Sequence, residues 1–138
     1  MEAASMQLQD AAHRDSAVRE EITRSVVRLH KKYIGQGPTK ARTYISDDLV
    51  VCVLQGGFSR AERTLLDHGR TGAVIDQRQA LDEALRRPLS DMIERLLERR
   101  VVGFTSAVQL DGELSTVVFL LRPTGMGGAR LERATSCL

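Results

Sequence analysis

The residues of this chain that could do chemistry are few and scattered. His13, His30 and His68 have no histidine or acidic partner at i,i+4, so no metal-ligating pair shares a helix face. Cys52 sits between Val51 and Val53, the setting of a small core hydrophobe rather than of a nucleophile, and Cys137 is at most an exposed thiol. Two cysteines make no disulfide framework and point to a reduced, cytoplasmic chain. Asp47 and Asp48 are adjacent, so their carboxylates point apart; a turn explains them better than a general acid/base pair. No Gly-x-Ser-x-Gly elbow is present. The expectation is therefore no catalytic, cofactor-binding or metal residue. An enzyme would need a converging pocket with perturbed titratable groups.

One stretch invites a phosphate-loop reading, Gly35-Gln36-Gly37-Pro38-Thr39-Lys40. Its context is wrong. It leaves a helix and enters a strand, so no helix N-terminus faces a phosphate, and a helix stop is the simpler account. The strand it enters alternates Lys40, Arg42 and Tyr44 with Thr39, Ala41, Thr43 and Ile45. A period of two sets the cations on one face, where they can meet an anion, an acidic partner or lipid headgroups.

Those residues need elements to hold them. The chain has 138 residues, 42% apolar and 28% charged, which suits one globular domain and argues against disorder. The longest apolar run, Leu49 to Leu54, is far too short to cross a membrane. Met1–Gln9 lacks both a basic start and an apolar stretch, so no signal peptide is expected. With 20 basic and 18 acidic residues and no Trp, the basic footprint and stacking platforms of a nucleic-acid binder are missing.

Val18, Ile22, Val26, Leu29 and Tyr33 form one helical stripe from about Asp15 to Ile34, ended by Gly35, Gly37 and Pro38. His30, Lys31 and Lys32 close it as cations suited to a helix C-terminus. Residues 1–12 read as a loose N-terminus. A hairpin follows, with strands 39–45 and 49–54 about Ser46-Asp47-Asp48 and with Val51 and Leu54 in the core. Ser59-Arg60-Ala61-Glu62 is a capping box for a short helix that stops at Gly69. A longer helix from about Gly72 to Arg99 carries Val74, Leu81, Leu85, Leu89, Met92 and Leu96 inward, with Asp82–Arg86 as an i,i+4 pair outside and a kink or split at Pro88. Strands 101–108 and 114–121 flank Asp111-Gly112. The expected fold is α+β: a four-stranded antiparallel sheet of two hairpins with helices on one face, in the order α-β-β-α-α-β-β. It occupies residues 13–123, and residues 124–138 read as a flexible tail.

Gly35-Gln36-Gly37-Pro38-Thr39-Lys40-Ala41-Arg42-Thr43-Tyr44-Ile45, then Asp48 to Gly56, then Ser59-Arg60-Ala61-Glu62-Arg63-Thr64-Leu65 with Gly69-Arg70, together resemble the MpsC-like family of small bacterial proteins over residues 15–123. The chain departs from the family pattern at Glu98-Arg99-Arg100, where a Thr-Gly-Arg turn is usual, and at Pro88. The resemblance implies an accessory or regulatory soluble component of a cation-coupled, membrane-potential-generating system related to inorganic-carbon uptake.

The expected function is thus a non-enzymatic interaction module. It would be cytoplasmic, peripheral to the inner membrane through a transport-complex partner, and not itself inserted. Its contact surface is expected at Gly37, Pro38, Thr39, Lys40, Arg42, Tyr44, Glu62, Arg63 and Arg70. The alternative is a small-ligand or nucleic-acid-binding regulator using the Lys40/Arg42 face, nucleic acid being the weaker case. Two open sheet edges and wide helical stripes also predict a homodimer, through edge-strand pairing or packing of the long helices.

Overall fold

Nothing between Met1 and Ile34 interrupts a helix: the stretch holds neither glycine nor proline and opens on good helix formers. The computed structural model describes residues 2–124, with side chains from His13 onward. There the stretch is one helix, α1 (Glu2–Ile34), so residues 2–12 are helical rather than the loose segment expected. Gly35, at φ +91°, ends it by donating its amide to the Lys31 carbonyl at 3.0 Å. β1 (Lys40–Ser46) and β2 (Leu49–Gln55) pair antiparallel about a two-residue turn in which Asp47 takes φ +51°. α2 (Arg60–Asp67), α3 (Thr71–Leu97), β3 (Val101–Gln109) and β4 (Leu114–Leu121) follow. α3 is not split at Pro88: Leu85 and Leu89, buried on either side, hold both halves on the core. The expected tail falls outside the described residues beyond Thr124, as does Cys137.

The sheet is antiparallel throughout, in the order β1-β2-β4-β3. This is the expected two-layer α+β fold. The core forms where α1 and α3 meet one sheet face. Ile22 and Val26 of α1 and Leu85, Leu89, Met92 and Ile93 of α3 cover Val50, Cys52, Leu54, Val117, Phe119 and Leu121. Phe104 of β3 meets Phe119 edge-on, with ring centroids 5.5 Å apart.

Two residues leave their expected places. Val51 is only half-buried while Leu54 is 2% exposed, because a continuous apolar strand still alternates sides. Tyr33, the last residue of the α1 stripe, is 49% exposed, with the Lys32 ammonium over its ring.

The turn into β1 is held by close backbone contact. A Cβ at Gly57 would lie 2.9 Å from Pro38 Cα, and one at Gly56 would strike the Thr39 hydroxyl at 2.5 Å. Both glycines also take positive φ, so only glycine fits the crossing. Thr39 completes it, with its amide donating to the Gln55 carbonyl at 2.9 Å and its hydroxyl at 3.1 Å.

Candidate functional site

The second face of the sheet is the one the helices leave bare. Strand alternation and register place Lys40, Arg42, Tyr44 and Ser46 beside Gln55, Val53, Val51 and Leu49, and these beside Leu114, Thr116, Val118 and Leu120. Thr105, Ala107 and Gln109 of β3 finish the rows. Leu49, Val51, Val53, Val118 and Leu120 form an apolar centre, with Tyr44 half-exposed beside it and Leu49 39% exposed. Lys40 and Arg42 stand at one corner, exposed and without a side-chain partner among the described residues. An apolar centre beside free cations is the make-up of a protein-docking surface.

The other notable feature is a buried ionic cluster. The Ser59–Glu62 capping box forms as expected: the Glu62 amide donates to Ser59 Oγ at 3.2 Å, and the Ser59 amide to Glu62 Oε1 at 2.9 Å. Glu62 is also 1% exposed, because Arg78 of α3 grips it in a bidentate pair, Nε to Oε2 at 2.5 Å and Nη2 to Oε1 at 3.0 Å. Arg78 Nη2 donates as well to the Gly57 carbonyl at 2.8 Å, and the guanidinium lies 4.4 Å from the centre of the buried Phe58 ring. Burial pushes the Glu62 carboxyl up, but the Arg78 hydrogen bonds and charge, with the Ser59 amide and hydroxyl, outweigh it and hold Glu62 below the usual carboxylate range.

Asp82, one turn on, is also buried, which raises its carboxyl despite a hydrogen bond from Ser106 and the charges of His30 and Arg78. Its expected surface pair with Arg86 is absent; Arg86 meets Glu83 instead at 3.5 Å. His30 is 4% exposed and burial lowers its pKa, so it is neutral rather than a helix-end cation. Its Nδ1 lies 2.8 Å from the Val26 carbonyl. The cluster joins α1, α2, α3 and β3 as an internal brace. Burial likewise lifts the Cys52 thiol to about 11, so it stays protonated beside Thr43.

The residues expected on one contact surface divide among three places. Lys40, Arg42 and Tyr44 lie together on the bare sheet face. Gly37, Pro38 and Thr39 form the packed crossing against Gly56 and Gly57. Glu62 is withdrawn into the interior by Arg78, a correction to its placement on a surface. Arg63 reaches from α2 to Glu113 in the β3–β4 turn, Nε to Oε1 at 3.2 Å, and Arg70 stands exposed at the N-terminal boundary of α3 without a side-chain capping bond.

Sequence reasoning missed Arg78, Asp82 and Arg99. Arg78 and Asp82 follow Val74 at i+4 and i+8, on the apolar stripe itself, and that spacing was the available signal. Arg99 ties three turns together, donating to the Asp47 carbonyl at 2.9 Å, to Asp48 Oδ1 at 2.7 Å and to the Arg122 carbonyl at 2.8 Å. No local pattern announces so distant a set of partners. Among the described residues no group of three or more His, Cys, Asp or Glu is placed to hold a metal, and no helix is long and apolar enough to cross a membrane.

A family model described as "Na+-translocating membrane potential-generating system (MpsC)" matches residues 15–123. That range holds all four strands, α2, α3 and most of α1. No curated protein and no solved structure matches the chain.

Proposed function

The chain belongs to the MpsC family, and from that premise we propose that it is a non-enzymatic accessory or regulatory module that docks its bare sheet face on a membrane-embedded partner of a membrane-potential-generating system. The observation that carries this reading is the face itself: Leu49, Val51, Val53, Val118 and Leu120 uncovered beside the unpaired Lys40 and Arg42. Monomeric proteins rarely leave a contiguous apolar sheet face to water without a use for it. The family name supplies the kind of system. The cations suit acidic groups on the partner, steering the encounter, while the apolar centre supplies most of the affinity. The module works from the cytoplasmic side and reaches the inner membrane through that partner.

The test is affinity capture from detergent-solubilised membranes of the native host, read by quantitative mass spectrometry. The wild-type chain is expected to enrich a multi-spanning ion-translocating protein at least tenfold over a Val53→Glu variant of equal thermal stability. Equal enrichment by the two, or enrichment of no such protein, overturns the reading.

A further inference from the structure

The free edge of β1 pairs, we propose, with the same edge of a second copy, in the single register centred on Thr43, to give a continuous eight-stranded sheet. This goes beyond the docking reading and does not depend on it.

The edge is open and backed by a groove. β1 is an end strand of the sheet. A groove of about 670 Å³ is lined by every residue from Ala41 to Ile45, by α1 side chains including Arg19, Thr23 and Arg24, and by no residue of β2, so it follows the outer edge of β1 under α1. Backbone groups along that edge have no hydrogen-bond partner among the described residues. Asp48 accepts from the Leu121 amide and Gly56 donates to the Glu113 carbonyl, so the even-numbered residues of β2 turn toward β4 and the odd-numbered ones toward β1. Register then turns Arg42, Tyr44 and Ser46 to β2, and leaves the backbone groups of Ala41, Thr43 and Ile45 aimed outward. The opposite edge strand, β3, is different: its register is broken between Val101 and Gly103, an irregularity of the kind that blunts an edge against pairing.

Charge and overlap together select the register, since a centre at Tyr44 or Ile45 would push Lys40 past the end of the second copy's Lys40–Ser46 strand. A two-fold axis normal to the sheet pairs residues of equal parity, because residues opposite each other share a face. Centred on Ala41, it sets Lys40 against Arg42 of the second copy; centred on Arg42, it sets guanidinium against guanidinium. Like charges directly opposite are destabilising. Centred on Thr43, the whole strand Lys40–Ser46 pairs with itself. Arg42 then faces Tyr44 of the second copy, a cation–aromatic pair, Lys40 faces Ser46, and Ala41 faces Ile45. The Thr43 amide and carbonyl, among those aimed outward, exchange bonds across the axis. The cations that guard this edge against other pairings thus admit this one. Because the axis is normal to the sheet, both bare faces lie on the same side of the dimer.

Light scattering across the micromolar range tests it, with hydrogen exchange read at low and high concentration. The wild-type chain is expected at twice its 15.3 kDa mass at high concentration, with the Thr43 amide protected in step. Tyr44→Lys, on an exposed side chain, sets cation against cation at two sites and is expected to weaken the dimer at least tenfold, with the melting temperature of the dilute monomer unchanged. Arg42→Glu added to Tyr44→Lys restores opposite charges across the axis and is expected to restore the dimer. A monomer at every concentration, a dimer indifferent to Tyr44→Lys, or a loss that Arg42→Glu does not repair each overturns the proposal.

Discussion

Glu62 shows how one side chain can serve two local rules at once. Its backbone and carboxylate close the α2 capping box on Ser59, a pattern visible in Ser59-Arg60-Ala61-Glu62, yet the same carboxylate is also the buried counter-ion of Arg78. A buried ion pair is weak evidence of net stabilisation, but breaking one half of it strands a charge. Arg78→Ala is therefore expected to cost about 3–5 kcal/mol in urea unfolding, whereas Arg63→Ala, which breaks the exposed pair with Glu113, costs about 1 kcal/mol or less. His30 makes the cluster sensitive to pH. Burial lowers its folded pKa below the ordinary 6.5, so the unfolded chain binds the proton more readily. The His30 contribution is complete above about 6.5 and is lost as pH falls through the lowered folded value. The Glu62 contribution has the same sign and fades further into acid, while Asp82, raised above 3.8, has the opposite sign. Melting temperature is expected to fall as pH drops below about 6.5, and His30→Gln is expected to flatten that part of the profile. An unchanged profile in the variant would place the acid sensitivity elsewhere.

At the scale of elements, α3 ends in a strained turn. Glu98 caps the helix in the left-handed region, φ +54° and ψ +38°, where a side chain costs about 1 kcal/mol. Glu98→Gly is expected to raise stability by about 0.5–1 kcal/mol in the same unfolding assay, and a loss would mean that the Glu98 side chain holds the turn. Most elements were legible because their signals are local. Gly35 stops α1, the capping box opens α2, and strand alternation puts Lys40 and Arg42 on one face. What escaped depends on contacts distant in the chain. The stripe sets Leu85 and Leu89 inward but does not reveal that their packing holds the helix unsplit across Pro88, and the Leu49–Leu54 run gives no hint that Val51 and Val53 face away from both helices. Of the candidate contact residues, those placed by strand alternation stayed on the surface. Glu62, whose side chain is placed by a partner sixteen residues away, did not.

The whole molecule is a two-layer fold whose sheet is covered on one face only. α1 and α3 close one side of the sheet; the other side offers an apolar centre with cations at one corner, and the β1 edge offers unpaired backbone groups. Docking draws most of its affinity from the apolar centre of the face and self-pairing draws on the backbone of the β1 edge, with Lys40 and Arg42 bordering both, so both can occur in one assembly. The central claim is that the face meets a membrane-embedded partner, and site-specific photo-crosslinking in living host cells tests it most directly. A photoreactive residue replaces Val53 at the centre of the face, with Gln77, exposed on α3, as the control position. The account predicts an adduct from Val53, absent from Gln77, whose second component is a multi-spanning ion-translocating protein. Adducts from Val53 with soluble proteins alone, or the same adducts from both positions, would contradict it.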